Sequence, residues 1–219
     1  MPHVDATATR LPILWRVVLP AILGAIGLFF SSQAPAGSVG FYVATFFTAA
    51  IWLGTWGLWG DRACFRGHPP NELARGAAIG IGLIALFIAG ALMVRLIPFL
   101  AAPVNDLLDN MRHGAVPLTI ATLIINGIGE ELFFRDVARH GLARIWSLTR
   151  KPYASLIAQV GLYIAVTAAM GIPLLLVASV LIGGIAALET RRAGNLISAT
   201  TLHLVWSIGM AFLLPLFIN

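Results

Sequence analysis

The sequence predicts an all-α protein, a polytopic bundle of about seven transmembrane helices that forms a single integral membrane domain over residues 1–219. Hydrophobic residues make up 59% of the chain and charged residues only 11%, whereas charged residues are about 25% of a typical soluble domain. The mean hydropathy is +0.91. A helix of about 20 apolar residues crosses the bilayer core, and little of this chain lies outside stretches of that kind.

Seven apolar stretches give the predicted spans, which are 12–31, 39–60, 76–99, 115–134, 153–170, 172–189 and 195–218. The first is interpreted as a signal anchor, because no convincing small-residue cleavage site accompanies it. Pro69 and Pro70 predict a turn, and Asn71 is expected to cap the helix that follows. The basic stretch 136–150 predicts either an amphipathic segment at the membrane interface or a plain connecting loop.

The basic residues indicate how the chain crosses the membrane. The net charge is +5 and the isoelectric point is about 10.3. Twelve of the fourteen Lys and Arg residues flank the start of the first span or lie in every second connection, at Arg10, Arg16, Arg62, Arg66, Arg75, Arg135, Arg139, Arg144, Arg150, Lys151, Arg191 and Arg192. The positive-inside rule then predicts a cytoplasmic N-terminus and an external C-terminus. The charge therefore indicates topology and no nucleic-acid partner.

These features predict an integral protein of the bacterial inner (plasma) membrane. Membrane lipid is therefore one expected partner. The oligomeric state is left open by the sequence. The chain has a single cysteine, Cys64, which excludes a disulfide framework and any metal cluster built on cysteines.

Two adjacent carboxylates, Glu130 and Glu131, lie inside the fourth apolar stretch. An ionisable residue within a membrane helix costs roughly 2.5–3.5 kcal/mol on insertion scales, so it marks a functional site by default. On an α-helix, Asn126 shares a face with Glu130, and Arg135 shares another face with Glu131. The spacing predicts an ion pair between Glu131 and Arg135, which leaves Glu130 to face elsewhere.

The last apolar stretch supplies an imidazole at a comparable predicted depth. His203 is followed one helical turn later by Ser207, so the two side chains share a face. A carboxylate on one helix and an imidazole on another can together activate water. The sequence therefore predicts that Glu130 and His203 meet in the cytoplasmic half of the membrane.

These residues resemble the signatures of the CPBP family of intramembrane proteases. Glu130-Glu131-x-x-x-Arg135 is similar to the first signature, and His203-x-x-x-Ser207 stands where the family carries His-x-x-x-Asn. The family includes CAAX-type prenyl-protein endopeptidases and bacteriocin-processing or immunity proteins. The resemblance covers about residues 115–210 and implies that the first glutamate activates water.

The chain departs from the family at its middle signature, Phe-x-x-x-His. Tyr163 stands at the aromatic position and Thr167 at the histidine position. A threonine hydroxyl cannot replace an imidazole as a base near neutral pH. Gln159 is a further polar residue near the predicted depth of Glu130, where it is expected to orient water or a peptide group. No metal and no cofactor are predicted, since Glu130 and His203 supply fewer than the three protein ligands of typical catalytic zinc sites.

The resemblance implies a glutamic-type intramembrane endopeptidase that hydrolyses a peptide bond near the cytoplasmic leaflet. Its substrate would be a membrane-associated or lipidated peptide or protein. Two alternatives stay open: a proteolytically inactive or altered family member that acts as a membrane binding, immunity or maturation partner, and a small transporter that uses the carboxylates. The candidate catalytic residues are Glu130, Glu131 and His203, with Arg135, Ser207, Asn126, Gln159 and Thr167 in support.

Overall fold

The computed structural model describes residues 6–97, 99, 102, 109, 114–145 and 151–217. Its helices are α1 (Ala6–Gln33), α2 (Val39–Trp59), α3 (Pro69–Val94), α4 (Val116–Glu130), a π-helical segment (Glu131–Ala138), α5 (Arg139–Ile145), α6 (Pro152–Thr167), α7 (Pro173–Ala193) and α8 (Ile197–Leu213). Short 3-10 turns, Ala168–Met170 and Leu214–Leu216, follow α6 and α8. Within the described residues, seven helices are long and apolar enough to cross a membrane. The predicted all-α membrane bundle is confirmed.

The fourth span is longer than the sequence predicts. The chain runs from α4 through the π-helical segment into α5, so it stays helical well beyond the predicted end at residue 134. Residues 136–138, 142 and 143 are buried, and Val137, Ala138 and Leu142 share a core cluster with Val17 and Ala21 of α1 and Trp52 of α2. The plain loop predicted over 136–150 is therefore wrong for residues 136–145, which are helical. The place of this segment at the membrane interface stays a prediction, and residues 146–150 lie outside the described part.

The start of α3 also differs from the prediction. Pro69 and Pro70 form the first turn of the helix, after His68, instead of a turn that precedes it. Proline suits this position because its missing N–H would have no partner inside the helix. Asn71 is consequently already inside the helix and does not cap it. Residue 98, inside the third predicted span of 76–99, and Arg150 lie outside the described residues.

Close backbone contact joins α3 to α8. A Cβ atom added to Gly76 would lie 2.5 Å from the carbonyl oxygen of Ser198, and one added to Gly80 would lie 2.9 Å from that of Leu202. Small residues allow membrane helices to approach in this way. The contact fixes α8, which carries His203, at one wall of the bundle.

An aromatic cluster surrounds the π-helical segment on the opposite side. The ring of Trp52 stacks on Phe133 at a centroid distance of 4.5 Å. Phe134 meets the ring of Tyr163 edge-on at 4.9 Å. Because α2 and α6 both pack on this segment, the residues at its start are held between them.

Candidate active site

A cavity of about 550 Å³ opens into the bundle, and all seven long helices contribute to its wall. Most of the wall is apolar. The polar side chains that line it are Thr45, Thr122, Asn126, Glu130, Tyr163, Thr167, Ser179, His203 and Ser207. A mostly apolar pocket with a few convergent polar groups is the usual form of a binding or active site.

Glu130 places a carboxylate at the wall of this cavity. It is the last residue of α4, directly before the π-helical segment, and its side chain is 16% exposed. The hydroxyl of Tyr163 donates a hydrogen bond of 2.8 Å to Oε2 of Glu130. The Nε2 atom of His203 lies 3.9 Å from the same oxygen, which is too far for a direct hydrogen bond. Glu130 therefore keeps one side open to a reactant in the cavity.

Glu131 lies behind Glu130 and is completely buried. Its Oε2 atom is 3.2 Å from Nε of Arg135, so the predicted ion pair is present. Its Oε1 atom is 2.8 Å from Nδ1 of His203. The sequence predicts Arg135 alone as the partner of Glu131, and the structure adds His203 as its nearer partner. The wider turn of the π-helix begins at Glu131, and such segments often occur at functional sites.

The contact with Glu131 orients the imidazole of His203. An ionised carboxylate accepts hydrogen bonds and cannot donate them, so Nδ1 carries a proton in this contact. Fixing one ring nitrogen in this way also determines what the other can do. The Nε2 atom consequently faces the side of the ring where Glu130 and the cavity lie. The structure thus brings Glu130, Glu131 and His203 together, as predicted from the sequence.

Arg135 is a cation enclosed by the protein. It is fully buried, and its guanidinium carbon lies 4.5 Å from the ring centroid of Tyr163. Its Nη1 and Nη2 atoms form no hydrogen bond with the described residues. The ring face and the carboxylate of Glu131 are therefore the contacts that stabilise this charge.

Two of the predicted supporting residues line the cavity on either side of the carboxylate. Asn126 lies one turn before Glu130 and donates hydrogen bonds to the carbonyl oxygens of Thr45, at 3.2 Å, and of Thr122, at 3.0 Å. Its Oδ1 atom has no partner among the described residues. Ser207 lines the wall one turn beyond His203, and the described hydrogen bonds include none between these two side chains.

Thr167 and Gln159 take different places on α6. Thr167 lines the cavity, but its hydroxyl donates to the carbonyl oxygen of Tyr163 at 2.9 Å. Gln159 is completely buried and is not part of the cavity wall. The expected role of Gln159 in orienting water or a peptide group therefore has no support from its position. Its amide oxygen and nitrogen have no hydrogen-bond partner among the described residues.

Two residues at the site have roles that sequence reasoning missed. The motif predicts Tyr163 only as the aromatic of the middle signature, although its hydroxyl is a signal for a hydrogen bond to a nearby carboxylate. The sequence motifs predict no role for Asp136. Its Oδ2 atom accepts from the indole nitrogen of Trp56 at 3.1 Å and from the backbone N–H of Asp61 at 2.7 Å. Asp136 therefore fastens the α2–α3 connection to the helix that carries the carboxylates.

A catalytic zinc ion typically needs three protein ligands that converge on one point. Among the residues that the structure describes, no group of three or more His, Cys, Asp and Glu side chains is arranged to hold one. Glu130, Glu131 and His203 are near one another, but both oxygens of Glu131 already contact other groups, Nε of Arg135 and Nδ1 of the imidazole. The geometry is that of two carboxylates sharing one histidine.

Comparison with known proteins agrees with the motifs. Residues 112–209 match the family model described as type II CAAX prenyl endopeptidase Rce1-like. No curated protein and no solved structure matches the chain. The matched region includes Glu130, Glu131, Arg135, Tyr163 and His203, and the helices around it are those of an integral membrane protein. The part of the chain that carries the candidate active site is therefore similar to the type II CAAX prenyl endopeptidases, in agreement with its CPBP-like motifs.

Proposed function

We propose that this protein is a glutamic-type intramembrane endopeptidase in which Glu130 activates water. One observation carries the proposal: Glu130 borders the cavity between the Tyr163 hydroxyl and the His203 ring. Glu131 is buried behind it and is paired with Arg135 and His203. One carboxylate is thus available for reaction while its neighbour supports the site.

The chemistry begins with a water molecule hydrogen-bonded to Glu130. The carboxylate takes a proton from this water as the oxygen attacks the carbonyl carbon of a peptide bond, which is general-base catalysis. In its protonated form, His203 presents a second N–H at Nε2, which donates to the oxyanion that develops. Ser207, further along the same wall, is proposed to support the bound peptide.

Glu131 and Arg135 act through His203. Glu131 fixes Nδ1 of the imidazole, and Arg135 balances the charge of that carboxylate. Orienting partners of this kind set which nitrogen of a catalytic histidine faces the substrate. Neither side chain touches the cavity wall, so both are positioning residues in this proposal.

The cavity suits a substrate with an apolar portion. Apolar side chains of α3, α7 and α8 line much of its wall, including Leu86, Phe87, Leu174, Leu175 and Met210. Burial of apolar surface contributes about 25 cal/mol per Å². A membrane-associated or lipidated peptide, cut near the cytoplasmic leaflet, therefore fits the site better than a polar soluble one.

A second function, binding without proteolysis, is favoured by one observation. Thr167 stands at the position of the family's middle histidine, and its hydroxyl is bonded to its own helix. It can therefore supply neither an imidazole nor a free donor to Glu130. A family member of this kind would act as a membrane binding, immunity or maturation partner.

The two functions can be separated with purified protein in proteoliposomes. The probes are a quenched fluorescent peptide that ends in a farnesylated CAAX sequence and the same peptide without the lipid. We expect wild type to cut the farnesylated peptide and Glu130→Gln to lower kcat by about 100-fold or more, as expected for loss of a general base. His203→Ala should lower kcat through loss of the oxyanion contact. Glu72→Gln, which changes a carboxylate paired with Arg192 outside the cavity, is the matched control and should cleave normally.

Cleavage at the wild-type rate by both Glu130→Gln and His203→Ala would show that the site assignment is wrong. If wild type cuts neither peptide but binds the farnesylated one as tightly as Glu130→Gln does, the protein is a binding member of the family.

A further inference from the structure

Tyr163 is placed to take part in the reaction itself. Its side chain is 7% exposed and lines the same cavity as Glu130. Its hydroxyl lies 2.8 Å from Oε2 of Glu130. Among the described residues, the Tyr163 hydroxyl is the side-chain group that donates a hydrogen bond to Glu130. A group that touches both the base and the substrate space can move a proton between them.

The other donors near Glu130 are engaged elsewhere. Nδ1 of His203 is bonded to Glu131, and its Nε2 atom is 3.9 Å from Glu130. The amide N–H groups of Asn126 serve two backbone carbonyls. The Thr167 hydroxyl serves the backbone of Tyr163. Tyr163 is therefore the group with a proton already in contact with the carboxylate.

The ring of Tyr163 is held on three sides, so its hydroxyl has a defined position. The Arg135 guanidinium covers one face at 4.5 Å, and the edge of Phe134 packs at 4.9 Å. On the side of α7, a Cβ atom added to Gly183 would come within 2.7 Å of Cδ1 of the ring. A catalytic group has to be held in this way to act at the right distance.

We propose that Tyr163 is a catalytic residue that carries a proton from Glu130 to the departing amine. This inference rests on the proposed function. Glu130 first takes a proton from water as the C–O bond forms. As the C–N bond breaks, the Tyr163 hydroxyl gives its proton to the amine nitrogen and takes the proton held by Glu130. The carboxylate and the phenol are then both restored, and the products are an acid and an amine.

The experiment compares two substrates and two tyrosine variants. One substrate is the farnesylated peptide, and the other is its depsipeptide, in which the scissile amide is replaced by an ester with a good leaving group. Tyr163→Phe keeps the ring and removes the hydroxyl. For the amide we expect its kcat to fall about 100-fold, the scale of acid–base catalysis. For the ester, whose leaving group needs no proton, we expect a change of about twofold. A merely structural role would lower both rates equally.

Tyr42→Phe is the matched control. The Tyr42 hydroxyl is also buried and hydrogen-bonded, to Thr119 at 3.0 Å, but it is not part of the cavity wall. We expect both rates to stay at the wild-type level in this variant. Ester cleavage by Tyr163→Phe also shows directly that the variant is folded.

The outcomes separate the proton transfer through Tyr163, here called the relay, from the proposed function. If Tyr163→Phe cuts the amide at the wild-type rate while Glu130→Gln is inactive, the relay is wrong and the function stands. Equal losses on amide and ester also overturn the relay and make Tyr163 a positioning residue. If wild type cuts neither substrate, or if Glu130→Gln cuts both normally, the proposed function fails and the relay, which starts at Glu130, fails with it.

Discussion

Two acidic clusters in this bundle use the same residue types in opposite ways. The first is the active-site cluster of Glu130, Glu131, Arg135 and His203. The second is the anchor cluster of Glu72, Arg75, Glu189, Arg192 and Ser198, which joins α3, α7 and α8. Glu189 accepts two hydrogen bonds from Arg75, at 2.7 and 2.9 Å. It accepts two more from Arg192 and Ser198, each at 3.0 Å.

The carboxylates of Glu189 and Glu130 differ in how many of their hydrogen-bond acceptor positions remain free. A carboxylate has about four of them, and the four bonds to Glu189 use that capacity. Glu130 accepts one bond, from Tyr163, and borders the cavity. A carboxylate in a membrane protein therefore has a structural role when its oxygens already accept all the hydrogen bonds that they can. It serves chemistry when one side stays open to a reactant.

The largest expected effect on stability comes from breaking the active-site cluster. Arg135→Leu leaves Glu131 buried without its cation, which should cost about 3–5 kcal/mol of unfolding free energy. Titration with SDS in mixed micelles measures this. Adding Glu131→Gln to Arg135→Leu should recover most of the loss, because the uncompensated charge is then gone. A single-variant loss below about 1 kcal/mol would contradict the pairing.

A smaller effect should follow from crowding the ring of Tyr163. In Gly183→Ala the new Cβ atom would lie 2.7 Å from that ring, and such overpacking costs about 1–3 kcal/mol. We expect cleavage to fall as well, because the hydroxyl moves relative to Glu130. Gly184→Ala is the matched control, since nothing lies within 4 Å of its added Cβ atom. Equal behaviour of the two variants would show that the ring can shift without consequence.

Loss of the Glu189 carboxylate in the anchor cluster should have the opposite effect to loss of the Glu130 carboxylate in the active-site cluster. Glu189→Gln weakens ion pairs whose arginines are 50% and 40% exposed, so we expect a loss of about 1–2 kcal/mol. The kcat of the folded variant should stay near that of wild type. Glu130→Gln should instead lose activity and keep its unfolding midpoint. Loss of activity in Glu189→Gln without loss of stability would contradict the assignment of the two clusters.

The smallest expected effect concerns the thiol beside the anchor cluster. Cys64 is buried, and its carbonyl oxygen accepts from the N–H of Leu196 at 2.7 Å. Burial, followed by the charges of Asp136 and Asp61, raises the pKa of Cys64 to about 11. At pH 8 roughly a thousandth of the thiol is then reactive thiolate.

Labelling with iodoacetamide should therefore be slow at pH 8 and should rise with pH up to about 11. Glu189→Gln should speed labelling a few-fold, because it loosens the junction of α7 and α8 beside Cys64. Glu130→Gln should not change the rate. Fast labelling of wild type at pH 8 would contradict the burial of the thiol.

Much of the bundle could be predicted because each membrane-spanning helix is recognised from its own apolar stretch of sequence. The spans and the Glu131–Arg135 pair follow from apolar length and from i to i+4 spacing. For His203 the prediction rested only on a membrane depth comparable to that of the carboxylates. The end of the fourth span could not be read in this way. Residues 136–145 carry several charges, but their apolar side chains pack against α1 and α2, and hydropathy does not register that contact.

The sequence by itself determined the class of the protein, its helices and the chemical groups of the site, since these depend on residue type and local spacing. The tertiary structure decided which groups meet. Rotation of α6 brings the Tyr163 hydroxyl to Glu130, and the π-helical start at Glu131 accompanies its contact with His203. Such contacts depend on how helices rotate and approach one another, which is set by packing across the whole bundle. No local pattern in one helix contains that information.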